Sequence, residues 1–204
     1  MDRRELLKMV ALLTGGVVVG GEVFLTGCTA PGTADVGFTP ANISLLDEIG
    51  ETILPATSSP GAKAAQVGDF MRVMVTDCYN QKQQEAFNNG LTQIDEESKK
   101  LNNKTFMEST PEQRKALLIN LEKVARQQDK DQDTKEEEKK EQAEREKKEY
   151  EAPPKHYFTM MKQLTLMGFF TSKPGATQAL RHIPVPGKYD GDYPYKKGDK
   201  AWAE

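Results

Sequence analysis

Ala64-Ala-Gln-Val-Gly-Asp-Phe-Met-Arg-Val-Met-Val-Thr-Asp-Cys-Tyr79 is the stretch whose reading decides the fold. Val67, Phe70, Met71, Met74, Val75 and Cys78 stand at i, i+3, i+4, i+7, i+8 and i+11, which is one apolar stripe on a helix. The spacing predicts a helix over roughly residues 64–79 with that stripe against a core. Cys78 closes the stripe, so it is expected as a packed thiol of the core rather than a reactive one.

The flanking segments repeat the pattern. Thr39-Pro40 is a helix start, a capping hydroxyl followed by proline at the first helical position. Ile43, Leu46, Gly50 and Ile53 then recur at helical spacing until Pro55 ends the run. Ala56 to Ala62 reads as a loop rich in Ser, Pro and Gly. Gln81 to Leu101 predicts a third helix with Phe87, Leu91, Ile94 and Leu101 on one face. Thr110-Pro111-Glu112-Gln113 is a capping box that opens a fourth, with Leu117, Leu118, Leu121 and Val124 inward. From Asp129 to Glu151 the chain is almost wholly charged with both signs mixed, which reads as a solvated helix or an insertion. Glu136/Lys140, Glu141/Arg145 and Glu144/Lys148 are its i,i+4 pairs.

After Pro153-Pro154 the chain turns apolar. Tyr157, Phe158, Met160, Met161, Leu164, Leu166, Met167, Phe169 and Phe170 are too dense for a one-faced helix, so this element is central to the core or buried by a partner. Its methionines are expected as core filling rather than thioether ligands. From Thr171 onward a tail rich in Gly, Pro and Tyr shows neither helical nor strand period. Long irregular segments with aromatics are often interaction surfaces, and Pro184, Pro186, Gly187, Tyr189, Tyr193 and Tyr195 are its candidate partner contacts. The fold class is therefore all-α: one domain of about five helices with a long irregular C-terminal tail.

The N-terminus carries an address. Arg3-Arg4 precede a weakly apolar run from Met9 to Phe24, and Leu25-Thr-Gly-Cys28 follows. Four glycines and Glu22 make this run poor as a membrane span, which wants about 20 apolar residues. The pattern reads as a twin-arginine export signal over residues 1–27 ending in a lipobox, with Cys28 lipidated and residues 28–39 a tether. A plain anchor helix, or the ordinary secretory route with the same lipobox, fits the same residues less well. The expected location is the periplasmic side of a bacterial membrane, inner or outer. The twin-arginine route carries proteins that are already folded, often around a cofactor.

Composition limits the chemistry. A net charge of −3 over 204 residues argues against nucleic acid as a partner. There are two cysteines, so with Cys28 acylated Cys78 has no partner within the chain, and is either a buried thiol or bridged to another chain. Two histidines, His156 and His182, assemble no convincing zinc site. No haem-attachment, dinucleotide or P-loop motif appears. Asp190 and Asp192 near His182 read as turn chemistry rather than a catalytic cluster. No nucleophile–base set is legible, so no catalytic, cofactor-binding or metal residue is assigned.

Two sets of residues carry a resemblance. Glu51-Thr-Ile-Leu-Pro55, Pro60-Gly-Ala62, Val67-x-x-Phe70 and Asp77-Cys-Tyr79 resemble the opening of the gluconate 2-dehydrogenase subunit 3 family. Phe169-Phe-Thr-Ser172, Gly175-Ala-Thr177, Leu180 and Val185-Pro-Gly187-x-Tyr189 resemble its close. The resemblance covers about residues 40–128 and 153–195, with the charged stretch between as an insertion. It implies a small helical subunit without catalytic residues, beside a flavoprotein dehydrogenase of the glucose-methanol-choline type that holds FAD and acts on sugars, sugar acids or polyols. A cytochrome c often completes such complexes, and the small subunit often brings the export signal. The lipobox departs from the many relatives that are simply exported, and would place the membrane anchor on Cys28. A structural periplasmic lipoprotein with an unrelated partner is the alternative.

Overall fold

The computed structural model describes residues 37–185, 187 and 190–203. Five α-helices follow one another: α1 (Pro40–Ile53), α2 (Val67–Cys78), α3 (Gln81–Asn102), α4 (Pro111–Glu146) and α5 (Tyr157–Thr171). A 3-10 turn (Ala62–Ala65) precedes α2 and a π turn (Gly175–Ala179) follows α5. The fold is all-α, and no strand occurs among the described residues. No described helix is long and apolar enough to cross a membrane.

Local chemistry sets the helix starts. Thr39 Oγ1 accepts from Asn42 N at 3.2 Å, with Pro40 at the first position of α1. At α4, Thr110 Oγ1 accepts from Gln113 N (3.3 Å) while Thr110 N donates to Gln113 Oε1 (2.9 Å). Asn80 and Gln83 build a second capping box at the head of α3, one the sequence reading passes over. The helix expected over 64–79 is broken near its start. Gln66 takes φ 52°, and Asp47 Oδ1 on α1 receives Gly68 N at 2.8 Å, so the first turn of α2 is capped by another helix.

The core forms around α5, which touches all four other helices. Its Tyr157, Phe158, Met160, Met161, Leu164 and Phe169 are buried against Leu46 and Ile49 of α1, Val67, Met71 and Val75 of α2, Phe87 and Ile94 of α3, and Leu117 and Leu121 of α4. Each such side chain contributes about 1.5–3 kcal/mol of burial. Close approach needs glycine at two crossings of α5. A Cβ on Gly90 of α3 would fall 2.4 Å from the Tyr157 ring, and one on Gly168 of α5 would fall 2.6 Å from Phe70.

Three inward positions are corrected. Cys78 is exposed, because α2 ends there and Tyr79 turns its ring to Phe87 instead. Leu101 is exposed where α3 ends; Asn103 turns left-handed (φ 56°) and Phe106 fills the core instead, its N–H held by Asp95 Oδ1 at 2.9 Å. On α4, Val124 faces solvent and Ala125 packs inward. These residues sit at the edge of a stripe or the end of a helix, where the neighbours decide which row faces in.

The charged stretch opens no new element. Pro111 to Glu146 is one helix, with no glycine or proline to interrupt it. Of the expected i,i+4 pairs, Glu141–Arg145 forms at 3.2 Å. Glu136 pairs with Lys139 (2.7 Å) and Lys148 with Glu146 (2.6 Å). The chain then folds back along the helix, with Tyr150 hydrogen-bonded to Glu136, Lys155 paired with Asp133, and Gln132 Nε2 donating to Pro153 O at 3.1 Å.

Candidate functional site

The polar side chains inside the bundle hold helices to one another. Arg114 of α4 donates through Nε to Phe106 O (2.9 Å) and through Nη2 to Met107 O (2.6 Å), and pairs with Glu48 of α1. Asp129 of α4 accepts His156 N (2.8 Å) and Thr159 Oγ1 (2.6 Å), so both its oxygens fix the head of α5. His156 Nδ1 accepts Phe158 N at 3.2 Å and serves as the cap of α5. Burial lowers the His156 pKa, against the pull of Asp129, so the ring stays neutral as the cap requires. Glu122 accepts Lys162 Nζ (2.6 Å) and Arg126 Nη2 (3.0 Å), and the Lys162 bond holds its carboxyl below the usual range. A carboxylate so paired holds no proton to donate at neutral pH. Burial pushes the Tyr157 hydroxyl up to about 12. Among the described residues no three His, Cys, Asp or Glu side chains come together as a metal site.

Grooves open between α1 and α3 (about 470 Å³) and beside His156 (about 350 Å³), and two more adjoin each other along α4 and α5. One of about 390 Å³ runs between α4 and α5, lined by Ala125, Phe158, Leu166 and the Glu122–Lys162 pair. A smaller one of about 220 Å³ adjoins it, reaching Ile53 of α1 and Ile119 of α4. Both share Glu122, Phe158 and Lys162. Along α5, Leu166, Met167 and Phe170 stand exposed; Met160 and Met161 fill the core as expected, but Met167 is 49% accessible because it lies on the face no neighbouring helix covers. The helix expected to be apolar all round is thus central on most of its surface and bare on one strip.

Beyond the π turn the chain meets itself. Arg181 N donates to Ala201 O (2.8 Å), and Ala203 N donates to Arg181 O (2.9 Å), which bridges Arg181 to Trp202. The guanidinium carbon lies 4.5 Å from the Trp202 ring centroid and 5.5 Å from that of Tyr193. Arg181 was not among the expected contacts. Its only sequence signal is an arginine at the head of an aromatic segment, and nothing local pairs it with Trp202.

The sequence-assigned residues fall as follows. Pro184, Gly187, Tyr193 and Tyr195 are exposed. Tyr193 joins the Arg181–Trp202 cluster, its ring 5.7 Å from that of Trp202. Tyr195 stands apart from it. Arg3, Arg4, Cys28, Pro186 and Tyr189 lie outside the described residues.

This is a helical domain whose polar clusters tie helix to helix, with an exposed apolar strip on α5 beside them. The family model of gluconate 2-dehydrogenase subunit 3 matches residues 40–187, and the chain belongs to that family. No curated protein and no solved structure matches it.

Proposed function

We propose that this chain is the small accessory subunit of a dehydrogenase complex. In this reading it is non-catalytic and binds a flavoprotein of the glucose-methanol-choline type. FAD sits in that larger partner, which oxidises a sugar, sugar acid or polyol. A cytochrome c subunit is the expected further member. Arg3-Arg4 route the folded pair through twin-arginine export, and lipidated Cys28 tethers it on the periplasmic side of the membrane.

Family membership over residues 40–187 is the observation that carries the reading. Two others support it. Leu166, Met167 and Phe170 leave apolar area on α5 uncovered, as an obligate subunit does before assembly. Of the groups a catalytic reading would draw on, His156 and the carboxylates Asp129 and Glu122 are engaged in structural hydrogen bonds.

The test is isolation of the chain from native membranes in mild detergent. A flavoprotein with bound FAD is expected to come with it. Recovery of the chain alone refutes the reading, and recovery with a partner that is not an oxidoreductase moves it to a periplasmic scaffold.

A further inference from the structure

We propose that residues 149–155 form an ionic clasp. This strap lets go of the helical body as a unit when salt screens its ion pairs, while the five helices stay packed. The clasp stands whether or not the chain is a dehydrogenase subunit.

Lys147 takes φ 52° and turns the chain off the end of α4, which starts the strap back toward the head of α5. The strap is gripped from two sides, and every grip is polar. On the α4 side, Tyr150 is hydrogen-bonded to Glu136 and Lys155 is paired with Asp133. Gln132 Nε2 adds bonds to Pro153 O (3.1 Å) and Pro154 O (3.3 Å). On the other side Glu151 reaches the head of α3, where its carboxylate accepts Asn80 Nδ2 at 2.9 Å and Lys82 Nζ at 2.6 Å. Asn80 caps α3 with its other end, Oδ1 accepting Gln83 N at 2.9 Å. Pro154 and Lys155 also wall the groove of about 350 Å³ that Asn89 and Gln93 of α3 and Gln128 of α4 help to line. That wall stands only while the clasp is shut.

Apolar burial plays little part in this attachment. Each of residues 149–155 is exposed or half-exposed, and the hydrophobic core draws on none of them. A segment with few buried apolar contacts opens locally, well below the free energy of global unfolding. The helices behind it are held by buried side chains instead. Salt separates the two. Exposed pairs such as Lys82–Glu151 and Lys155–Asp133 weaken as the Debye length contracts, whereas apolar contacts are not screened. Both ends stay anchored for re-closure: Lys148 N donates to Ala143 O at 2.9 Å, and His156 N to Asp129 Oδ1 at 2.8 Å.

Tyr150 is the one aromatic residue of the strap, so chymotrypsin cleavage after it reads the open form. The rate is measured on the full chain by mass spectrometry and normalised to a free peptide of residues 144–157 under the same salt. Lys82→Gln removes one ion pair without touching the cleaved sequence. At low salt it is expected to raise the normalised rate by about 2–5-fold, the worth of one exposed pair. At about 1 M salt, where charges are screened beyond about 3 Å, the wild-type rate should rise to meet that of the variant. Helical circular dichroism and the thermal midpoint should stay in place throughout. Lys99→Gln makes the same charge change near the far end of α3 and should leave the rate alone. A rate that neither salt nor Lys82→Gln moves overturns the clasp. A rate that rises only together with cleavage after buried Phe87 overturns it too, because the strap would then open with the whole bundle.

Discussion

Gly90 shows how one missing carbon sets the geometry of the core. Alanine in a helix interior ordinarily gains about 0.5–1 kcal/mol over glycine. A Cβ here would lie 2.4–2.5 Å from atoms of the Tyr157 side chain, and overpacking of that kind costs about 1–3 kcal/mol. The steric term wins, so Gly90→Ala is expected to lower the unfolding midpoint in a thermal melt. Cys78 gives the opposite case: it is exposed, and Cys78→Ser should change stability by less than about 0.5 kcal/mol. Loss of the complex on non-reducing gels in that variant would reveal a bridge to a partner chain. His156 is the pH-sensitive residue. Its folded pKa is lowered, so the unfolded chain takes up a proton first as pH falls. Its contribution is present above about pH 6.5 and is lost as the pH drops through the folded value, when Nδ1 can no longer accept from Phe158 N. His156→Asn keeps a cap without titrating. Wild type should lose stability relative to it between pH 7 and 5, by no more than the worth of one cap, about 1 kcal/mol.

Elements were legible where their chemistry is local. Thr39-Pro40 and Thr110-Pro111 announce their helices because a cap needs partners only three residues away. The apolar spacing located α2, α3 and α5 for the same reason. What the chain did not disclose depends on partners far along it. Asp129 finds His156 at a separation of 27 residues and Arg114 finds Glu48 at 66, and no periodicity encodes such pairs. The left-handed Gln66 was hidden too, since its break is compensated by Asp47 of another helix. The length of α4 follows from a local rule read too cautiously: mixed charges at helical spacing continue a helix when no glycine or proline stops it. Past Asp133 its side chains meet only solvent and the returning segment. Replacing residues 136–150 with a short Gly/Ser loop should remove helical signal in circular dichroism. It should shift stability by no more than about 1 kcal/mol, because exposed ion pairs contribute little.

At the level of the whole molecule, α5 presents a core face and an exposed face, and the proposed function assigns docking to the second. Met161 and Phe169 face the core, whereas Met167 and Phe170 face out. Met167→Glu with Phe170→Glu is therefore expected to leave the thermal midpoint nearly in place and abolish recovery of the flavoprotein partner. The converse substitution, Met161→Ala, should cost about 2–5 kcal/mol of stability. Comparing the two by melt and by pull-down separates the face that makes the fold from the face that makes the assembly.

The central place of α5 also fixes a timetable. Its residues, Tyr157–Thr171, come late in the chain, yet all four earlier helices pack on them. While the ribosome is still making residue 150, α1 to α4 have no inner wall to close on. The body is completed only once Thr171 has been made. On the proposed export route, transport must wait for a folded cargo, so the fifth helix is the clock that releases the signal upstream of it.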